Sequence, residues 1–384
     1  MKIYYFHSLY FNFNSSQTIQ VIRDYRYLSD KGFDVTLSGV YDDEQSFKDI
    51  KDYIGVHRIK IIASRGTSKL PRLMSKLRFL LDVIRHSKQK KCFVTRSYHK
   101  SREILRYRHF LPNSVVLMEL HEHALPFLIQ GRKRVNKRSY EKLFRKIDGL
   151  ILTNYSQEKI LRDEFTTLPC YSILPNGVET KLFSQAHPPE SQSNSSRFVI
   201  TYAGQFSSWK NIELLFKSLA LLGDRYHLRI AGGKGDEESN AYIQQLTGKY
   251  DVRARVGFRG FVNPEKLASH VLNGSSVLLL PLGDNIESKY FTSPMKLFEY
   301  MATTIPVVAV NHPSVSMITG DDTVFLASTD PKDFARAIRE ASCCGEDDQR
   351  IKKMNKIAAR YSYENRASHF SDFISSFSPT CPTS

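Results

Sequence analysis

The segment 293–302 combines residue types that bind and polarise an anionic group. Ser293 is a good helix N-cap and Pro294 suits the first helical position, so the pattern predicts a helix that begins here. Its unpaired N–H groups would face the preceding loop, where such groups attract phosphate. Lys296 lies in the first turn, and Glu299 follows one turn later on the same face. A cation placed against the helix dipole indicates an anion close by.

Glycine-containing turns follow three predicted strands in the same half of the chain. Gly204 comes directly after one strand, and Lys210 precedes a helical pattern that begins near Ile212. Glycine lets the backbone approach a ligand closely, and a lysine at the start of a helix can neutralise a diphosphate. The turns 231–235 and 257–262 would also lie at carboxyl ends of strands, where open α/β sheets bind ligands. Neither a Walker loop nor a G-x-G-x-x-G fingerprint is present, so the usual signals of P-loop hydrolysis and dinucleotide redox chemistry are missing.

Length and composition limit the class of protein. A chain of 384 residues with 41% apolar residues predicts two globular domains. The formal charge of +16 indicates polyanionic partners such as nucleic acid, anionic lipid or phosphorylated substrates. The five cysteines are odd in number, scattered and without metal-ligand spacing, which favours free thiols in a reducing compartment and predicts no metal site.

Short β-branched or aromatic runs alternate with helical patterns along the whole chain, and this rhythm predicts parallel sheets covered by helices. The predicted strands are 3–6, 34–38, 92–95, 115–119, 149–153 and 171–174 in the first half, and 198–202, 226–230, 255–258, 276–281 and 305–310 in the second. Because segment 184–197 is polar and rich in Ser and Pro, it is predicted to link a domain 1–183 to a domain 198–363. The tail 377–384 is expected to be disordered.

Two segments concentrate positive charge. Segment 72–91 has seven Lys and Arg against one acidic residue, and Leu73, Leu77, Leu80 and Ile84 recur in it at helical spacing. Segment 132–146 has eight Lys and Arg against one Glu. Each segment alone is explained equally well by a solvated helix whose apolar stripe packs in the core and by a helix that contacts a membrane. The presence of two such segments in one half of the chain favours contact with an anionic surface. The start of the chain lacks a signal-peptide pattern and no apolar run spans a bilayer, so a cytoplasmic protein, soluble or peripheral on the membrane, is expected.

As a set, these features resemble the GT-B glycosyltransferases of family 4, the glycosyl transferases group 1. In the second half the resemblance rests on Gly204 with Trp209 and Lys210, on 257–262, and on 293–302 followed by 305–309, in the expected order. Weaker counterparts in the first half are 95–97, 119–121 and 175–179. The resemblance implies two Rossmann-like domains whose parallel sheets face each other across a cleft. Segment 361–367 resembles the closing helix of that family, so helix 364–376 would complete the first domain.

The resemblance also implies a reaction. A hexosyl group would pass from a nucleotide diphosphate sugar to a glycan or lipid-linked acceptor, in polysaccharide or glycolipid assembly, with retained anomeric configuration and without a metal or cofactor. Lys210 would stabilise the departing diphosphate, Glu299 would hold ribose hydroxyls, and His121 would project from the acceptor domain towards the donor sugar. Since glycosyl transfer builds negative charge on the leaving group, a cation and fixed donors there lower the barrier.

The residues implied on the donor side are Gly204, Gln205, Lys210, Gly260, Phe261, Val262, Thr292, Ser293, Pro294, Lys296 and Glu299. Arg96 and Glu119 are implied on the acceptor side. The chain departs from the family pattern at Gln205, where Arg is common, and at Phe291, where a second Glu is common.

Two other interpretations compete with transfer. A GT-B sugar-nucleotide epimerase would use the same donor site without an acceptor surface, and the basic segments argue against it. A noncatalytic nucleic-acid-binding protein would explain the charge, but the sequence lacks a recognisable nucleic-acid module, so no nucleic-acid partner is predicted. The nucleotide base, the sugar, the acceptor, the linkage and the oligomeric state are not identified by the sequence.

Overall fold

The computed structural model describes residues 1–12, 15–55, 57–121, 125, 136–189, 197–207, 210–233, 236–344 and 348–377. The chain divides into two compact α/β units. Unit 1 comprises Met1–Gly177 and the chain from Tyr363 onward, and unit 2 comprises Val178–Ser362.

Unit 1 is built on a seven-stranded parallel sheet with the order β3-β2-β1-β4-β5-β6-β7. Its strands are β1 (Lys2–Tyr10), β2 (Asp34–Tyr41), β3 (Ile59–Arg65), β4 (Lys91–Thr95), β5 (Ser114–Leu120), β6 (Gly149–Leu152) and β7 (Cys170–Ile173). Its helices are α1 (Ser16–Asp30), α2 (Glu44–Ile54), α3 (Lys69–Arg85), α4 (Tyr98–Arg106), α5 (Lys137–Phe144), α6 (Tyr155–Glu164) and, from the end of the chain, α14 (Tyr363–Ser376).

Unit 2 has a six-stranded parallel sheet with the order β10-β9-β8-β11-β12-β13. Its strands are β8 (Phe198–Gly204), β9 (Tyr226–Gly232), β10 (Val256–Phe258), β11 (Val277–Leu280), β12 (Val307–Val310) and β13 (Phe325–Ala327). Its helices are α7 (Thr180–Phe183), α8 (Ile212–Ala220), α9 (Glu237–Lys249), α10 (Met295–Met301), α11 (Pro313–Thr319), α12 (Pro331–Ser342) and α13 (Gln349–Arg360), and π-helical turns span Ala268–Leu272 and Glu287–Phe291.

Polar residues start many of these helices in the way that their chemistry predicts. The side chain of Ser15 accepts a hydrogen bond from the backbone N–H of Thr18, and Asp330 caps α12 with Pro331 at the first helical position. Such caps satisfy N–H groups that the helix leaves unpaired. The strands between the helices are buried on both faces, as in β11 and β12, which explains their continuous apolar runs.

The α/β class with two parallel sheets is confirmed, and each of the eleven predicted strands is present with small differences at its ends. Two strands escaped prediction, β3 and β13, and both lie at an edge of their sheet. Strand β3 is only partly buried, and β13 has three residues. An edge strand needs no continuous apolar run because one side of it has no neighbouring strand, and its sequence signal is correspondingly weak.

The boundary between the units differs from the predicted linker 184–197. The chain enters unit 2 at Val178, whose N–H donates to the carbonyl of Tyr361 at 3.0 Å and which pairs with Ser362 in an isolated β-bridge. Helix α7 also contacts α10, so the residues just before 184 belong to unit 2. Composition could not reveal this boundary, because a polar loop need not coincide with the point where the backbone contacts change. Residues 190–196 of the predicted linker and 378–384 of the predicted tail lie outside the described residues.

The basic segment 72–91 forms most of α3, but its apolar stripe does not face the core. Leu73, Leu77 and Ile84 are all more than half exposed. Lys91 is instead buried in β4 and donates to the carbonyls of Ser87 and Gln89, so it does not belong to the basic surface. In the second basic segment, residues 132–135 lie outside the described residues. Within the described part of the chain, no helix is both long enough and apolar enough to cross a bilayer.

Candidate functional site

The strand order of unit 2 creates a topological switch point between β8 and β11. From β8 the chain runs to β9 and β10 on one side, and β11 then returns to pair with the other side of β8. The loops that leave β8 and β11 therefore diverge, which opens a crevice at their carboxyl ends. The segments 203–211 and 281–294, which contain most of the predicted donor residues, follow these two strands.

Three glycine turns are joined by their backbones at this edge of the sheet. The N–H of Gly233 donates to the carbonyl of Gly204 at 3.2 Å, and the N–H of Gly232 donates to the carbonyl of Gly260 at 2.7 Å. A Cβ atom at Gly232 would lie 1.8 Å from the carbonyl oxygen of Gly204, and its φ of 130° also disfavours any other residue. Glycine is thus required for the close approach of these turns. Phe261 and Val262, which the sequence also predicts on the donor side, follow Gly260 and are half-buried.

Lys210 brings a positive charge to the switch point. Its backbone forms a β-bridge with Leu282, which follows β11, and the N–H of the next residue, Asn211, donates to the carbonyl of Pro281. Its ammonium nitrogen lies 3.4 Å from the position that a Cβ of Gly204 would occupy. The predicted pair of Gly204 and Lys210 is therefore brought together by the fold. Trp209, which supported the resemblance, lies outside the described residues.

Helix α10 begins one residue later than the sequence predicts. Pro294 is its N-cap, Met295 is the first helical residue, and no side chain caps the helix, so the predicted cap role of Ser293 is wrong. Proline has no N–H and holds φ near the value observed here, so either position next to the helix start accepts it. The oxygen Oε2 of Glu299 accepts from Lys296 Nζ at 2.5 Å, and the Glu299 side chain is 5% exposed.

Two tyrosines that the sequence analysis missed hold the site together. The hydroxyl of Tyr300 accepts from the N–H of Ala203 at 2.9 Å and lies 3.2 Å from its carbonyl oxygen, which fastens α10 beside Glu299 to the end of β8. The hydroxyl of Tyr202 donates to the carbonyl of Gln205 at 2.9 Å. Burial raises the pKa of both phenols well above the ordinary range, so they remain neutral donors. The sequence signal that could have identified them is their position, because Tyr300 directly follows Glu299 and Tyr202 lies two residues before Gly204.

The loop between β11 and α10 is supported from α11 and the residue before it. The ring nitrogen Nε2 of His312 lies 2.9 Å from the carbonyl of Gly283, and the hydroxyl of Ser314 donates to the carbonyl of Ser288 at 2.6 Å. Because its partner is a carbonyl oxygen, Nε2 carries a proton and donates, while burial lowers the pKa of His312 and favours the neutral ring. Phe291, at the position that departs from the family pattern, is buried, as is Thr292 beside it.

The predicted acceptor-side residues meet in a buried ionic cluster in unit 1. Arg96 follows β4 and donates through Nε to Glu119 Oε2 at 2.7 Å. Nε2 of His121, directly after β5, lies 3.4 Å from Oε1 of the same carboxylate. The side chains of Arg96 and Glu119 are each 5% exposed, whereas that of His121 is 21% exposed. Glu119 thus lies between the largely buried guanidinium group of Arg96 and a histidine that reaches solvent.

Arg366 from α14 completes this cluster, and the sequence analysis assigned it no role. It donates to Glu119 Oε1 at 3.0 Å, to Asp24 Oδ1 at 2.7 Å and to the carbonyl of Pro175 at 2.7 Å. Burial disfavours its charge, but Asp24 and Glu119 outweigh burial and raise its pKa. Burial likewise opposes ionisation of Glu119, yet Arg96 holds its pKa well below the usual range. The cluster therefore balances two guanidinium groups against two carboxylates.

A family model matches most of unit 2. Residues 183–357 match the family model "Glycosyl transferases group 1". A comparison with curated proteins found no match.

Solved structures resemble the whole chain. Sucrose-phosphate synthase from Thermosynechococcus elongatus has a TM-score of 0.74 and 16% identity, over 98% of each chain. HepE from Anabaena, solved in complex with UDP-glucose, has a TM-score of 0.71 and 15% identity, over 98% of this chain and 100% of that one. The lipopolysaccharide outer core galactosyltransferase WaaB has a TM-score of 0.67 and 16% identity, over 98% of this chain and 99% of that one. The chain therefore has the GT-B fold, and most of its second unit carries the sequence pattern of the glycosyl transferases group 1.

Proposed function

We propose that this protein is a glycosyltransferase that binds a nucleotide diphosphate sugar at the carboxyl ends of β8 and β11. The observation that carries the proposal is the position of the Lys210 ammonium group over Gly204, at the switch point of the unit 2 sheet. Crevices at such points bind nucleotides in open α/β sheets. HepE, which shares the fold, was solved in complex with UDP-glucose, and this favours a sugar nucleotide as the ligand.

The residues of the site have complementary tasks in this proposal. Lys210 neutralises the charge that develops on the departing diphosphate, in a place where the glycine turns leave room for the phosphates. Glu299 accepts hydrogen bonds from ribose hydroxyls, while Lys296, whose Nζ lies 2.5 Å from Oε2 of Glu299, holds the buried carboxylate in place. In unit 1, Glu119 orients His121 for a role in transfer, since Arg96 and Arg366 hold that carboxylate in one position.

The finer assignments also belong to the proposal. They are membership of family 4, hexosyl transfer with retention of configuration, no requirement for a metal or cofactor, and a glycan or lipid-linked acceptor used in polysaccharide or glycolipid assembly. The proposal also includes a location on the cytoplasmic face of a membrane, which the basic surface of unit 1 supports. Retention would be checked by the anomeric configuration of the product in NMR spectra, and metal independence by unchanged turnover after chelation of divalent ions.

Thermal unfolding with UDP, GDP, ADP and CMP and their sugar conjugates tests donor binding. A ligand that binds only the native state raises its stability, by about 2.7 kcal/mol at 100 times its Kd. We expect one base to be selected, and we expect Lys210→Ala and Glu299→Gln each to reduce the shift and to slow transfer on the order of 100-fold. Lys217→Ala and Glu340→Gln are matched controls. Lys217 lies in the last turn of α8, at the end away from Lys210, and Glu340 lies near the end of α12.

Wild-type protein that shows no shift with any of these nucleotides would overturn the assignment of the donor site. Equal shifts and turnover in Lys210→Ala, Glu299→Gln and their controls would show that the site lies elsewhere. Conversion of a sugar nucleotide into its epimer without an acceptor would replace transfer by epimerisation.

A further inference from the structure

Helix α3 presents most of its large apolar side chains to solvent. Its leucine face consists of Leu70, Leu73, Met74, Leu77, Leu80, Leu81 and Ile84, which are 36–66% exposed. Among the described residues, these are seven of the thirteen large hydrophobic side chains that are exposed. Contiguous apolar surface of this kind marks an interaction site far more often than scattered exposed residues do.

The core-facing side of α3 holds the leucine face outward. The hydroxyl of Ser75 donates to the carbonyl of Ile62 at 3.0 Å, and Phe79 is buried. Asp82 pairs with Lys2 at 2.8 Å and with Lys60 at 2.5 Å. At about 3.6 residues per turn, these buried positions lie on the side of the helix opposite the leucine face. The helix therefore cannot rotate its leucines inward without breaking a buried ion pair.

Cations border the leucine face on both sides. Lys69 and Lys76 lie along one edge of it, and Arg78 and Arg85 lie along the other. Asp82 is the one acidic residue of segment 69–91, and it is buried in the core. The exposed surface of α3 thus combines an apolar centre with a rim of positive charge only.

An open pocket beside the same helix extends the positive surface. Arg72 and Lys76 of α3 line it together with Lys100 of α4, and Phe6 and the end of β2 form part of its wall. Lys76 and Lys100 both contact the carboxylate of Glu103, the latter at 3.2 Å. Two of the three cations contact the one carboxylate of Glu103 and the third is Arg72, so the pocket stays positive and suited to a phosphate.

We propose that the leucine face docks on an anionic lipid membrane, with the leucines at the boundary of the acyl chains and the cations among the headgroups. A helix with an apolar face and a Lys and Arg rim is the kind that lies in the membrane interface. A second copy of the chain is a poorer partner, because two-fold symmetry would bring these rims of like charge together. The proposal names the partner of the peripheral location proposed above, but it does not depend on sugar transfer.

Sedimentation of the full chain with lipid vesicles, in the absence of a sugar donor, tests whether the leucine face docks on a membrane. We expect binding to vesicles of phosphatidylcholine with phosphatidylglycerol, weaker binding to phosphatidylcholine alone, and release by salt. Leu77→Asp with Ile84→Asp should lower the partition coefficient at least about tenfold, since each change removes apolar contact and adds a repelled charge. Leu221→Asp with Met317→Asp is the matched control, because these residues are exposed in unit 2.

Neutralising Arg78 and Arg85 to Gln separates charge from apolar contact. The partition coefficient should fall about 25-fold, because each of the two cations near an anionic surface contributes about a fivefold factor. Neutralising the exposed Lys332 and Lys356 of unit 2 to Gln should leave it unchanged. Wild-type protein that does not bind anionic vesicles, or equal binding by the leucine-face variant, would overturn the proposal. Self-association lost in that variant, without vesicle binding, would assign the face to a dimer instead.

Discussion

Replacing Arg366 by Met should strongly destabilise unit 1. The Arg366 and Asp24 side chains are each 4% exposed, and Arg366 donates to two carboxylates and to the backbone that follows β7. Methionine fills similar volume but leaves Asp24 buried with its closest cation gone. Breaking a buried pair in this way costs about 3–5 kcal/mol. Asp24→Asn with Arg366→Met should cost less than the sum of the single changes, because no buried charge is then left unpaired.

Arg336→Met is the matched control. Arg336 contacts Asp333 and Glu340, both at 2.6 Å, but it is 52% exposed, so its loss should cost little stability. Hydrogen–deuterium exchange resolves the two compact units, which a single unfolding midpoint would not. Protected amides of α14 and β5 should exchange about 100-fold faster or more in Arg366→Met. Equal exchange in Arg366→Met and Arg336→Met would refute the reasoning that this cluster holds α14 in unit 1.

Three further predictions concern pH, the glycine turn and the paired carboxylate. Burial opposes ionisation of Asp82, but two lysines outweigh it and lower its pKa to about 2. The lowered pKa contributes about 2 kcal/mol to the stability of the folded state, which should be present above pH 4 and be lost as pH falls towards 2. In acid titrations, the difference in stability between the wild type and Asp82→Asn should therefore shrink over that range. Gly204→Ala places a Cβ 2.7 Å from a tyrosine hydroxyl and should weaken nucleotide binding in calorimetry, whereas Gly257→Ala, with no atom within 4 Å, should not; equal affinities would contradict the close approach. Lys296→Met removes the 2.5 Å contact from the buried carboxylate of Glu299 and should therefore weaken nucleotide binding in calorimetry, and unchanged affinity would contradict this pairing.

The two arginines of the cluster around Glu119 differ in how far the sequence could identify them. Arg96 could be singled out from the sequence through the family resemblance, in which it directly follows a recognisable strand. Arg366 lies 247 positions from Glu119 along the chain, and no local pattern marks it as a partner of that carboxylate. Only the return of α14 to unit 1 brings the two side chains together.

The leucine face of α3 shows a second limit. Helical spacing of Leu73, Leu77 and Ile84 correctly predicted an amphipathic helix, but it did not determine which face meets the core. The buried face uses Ser75, Phe79, Asp82 and Val83, two of which are polar. Asp82 can lie in the core because two lysines from the neighbouring strands reach it, and those contacts join distant parts of the chain.

The sequence by itself determined the alternation of strands and helices, the glycine turns and the charge of segment 72–91, because each depends on local backbone preference or on composition. The tertiary structure decided where those elements come together. It placed the Lys210 ammonium group over Gly204, fastened Tyr300 to the end of β8, and surrounded Glu119 with two arginines. These contacts depend on strand order and on long-range chain return, which residue spacing does not encode.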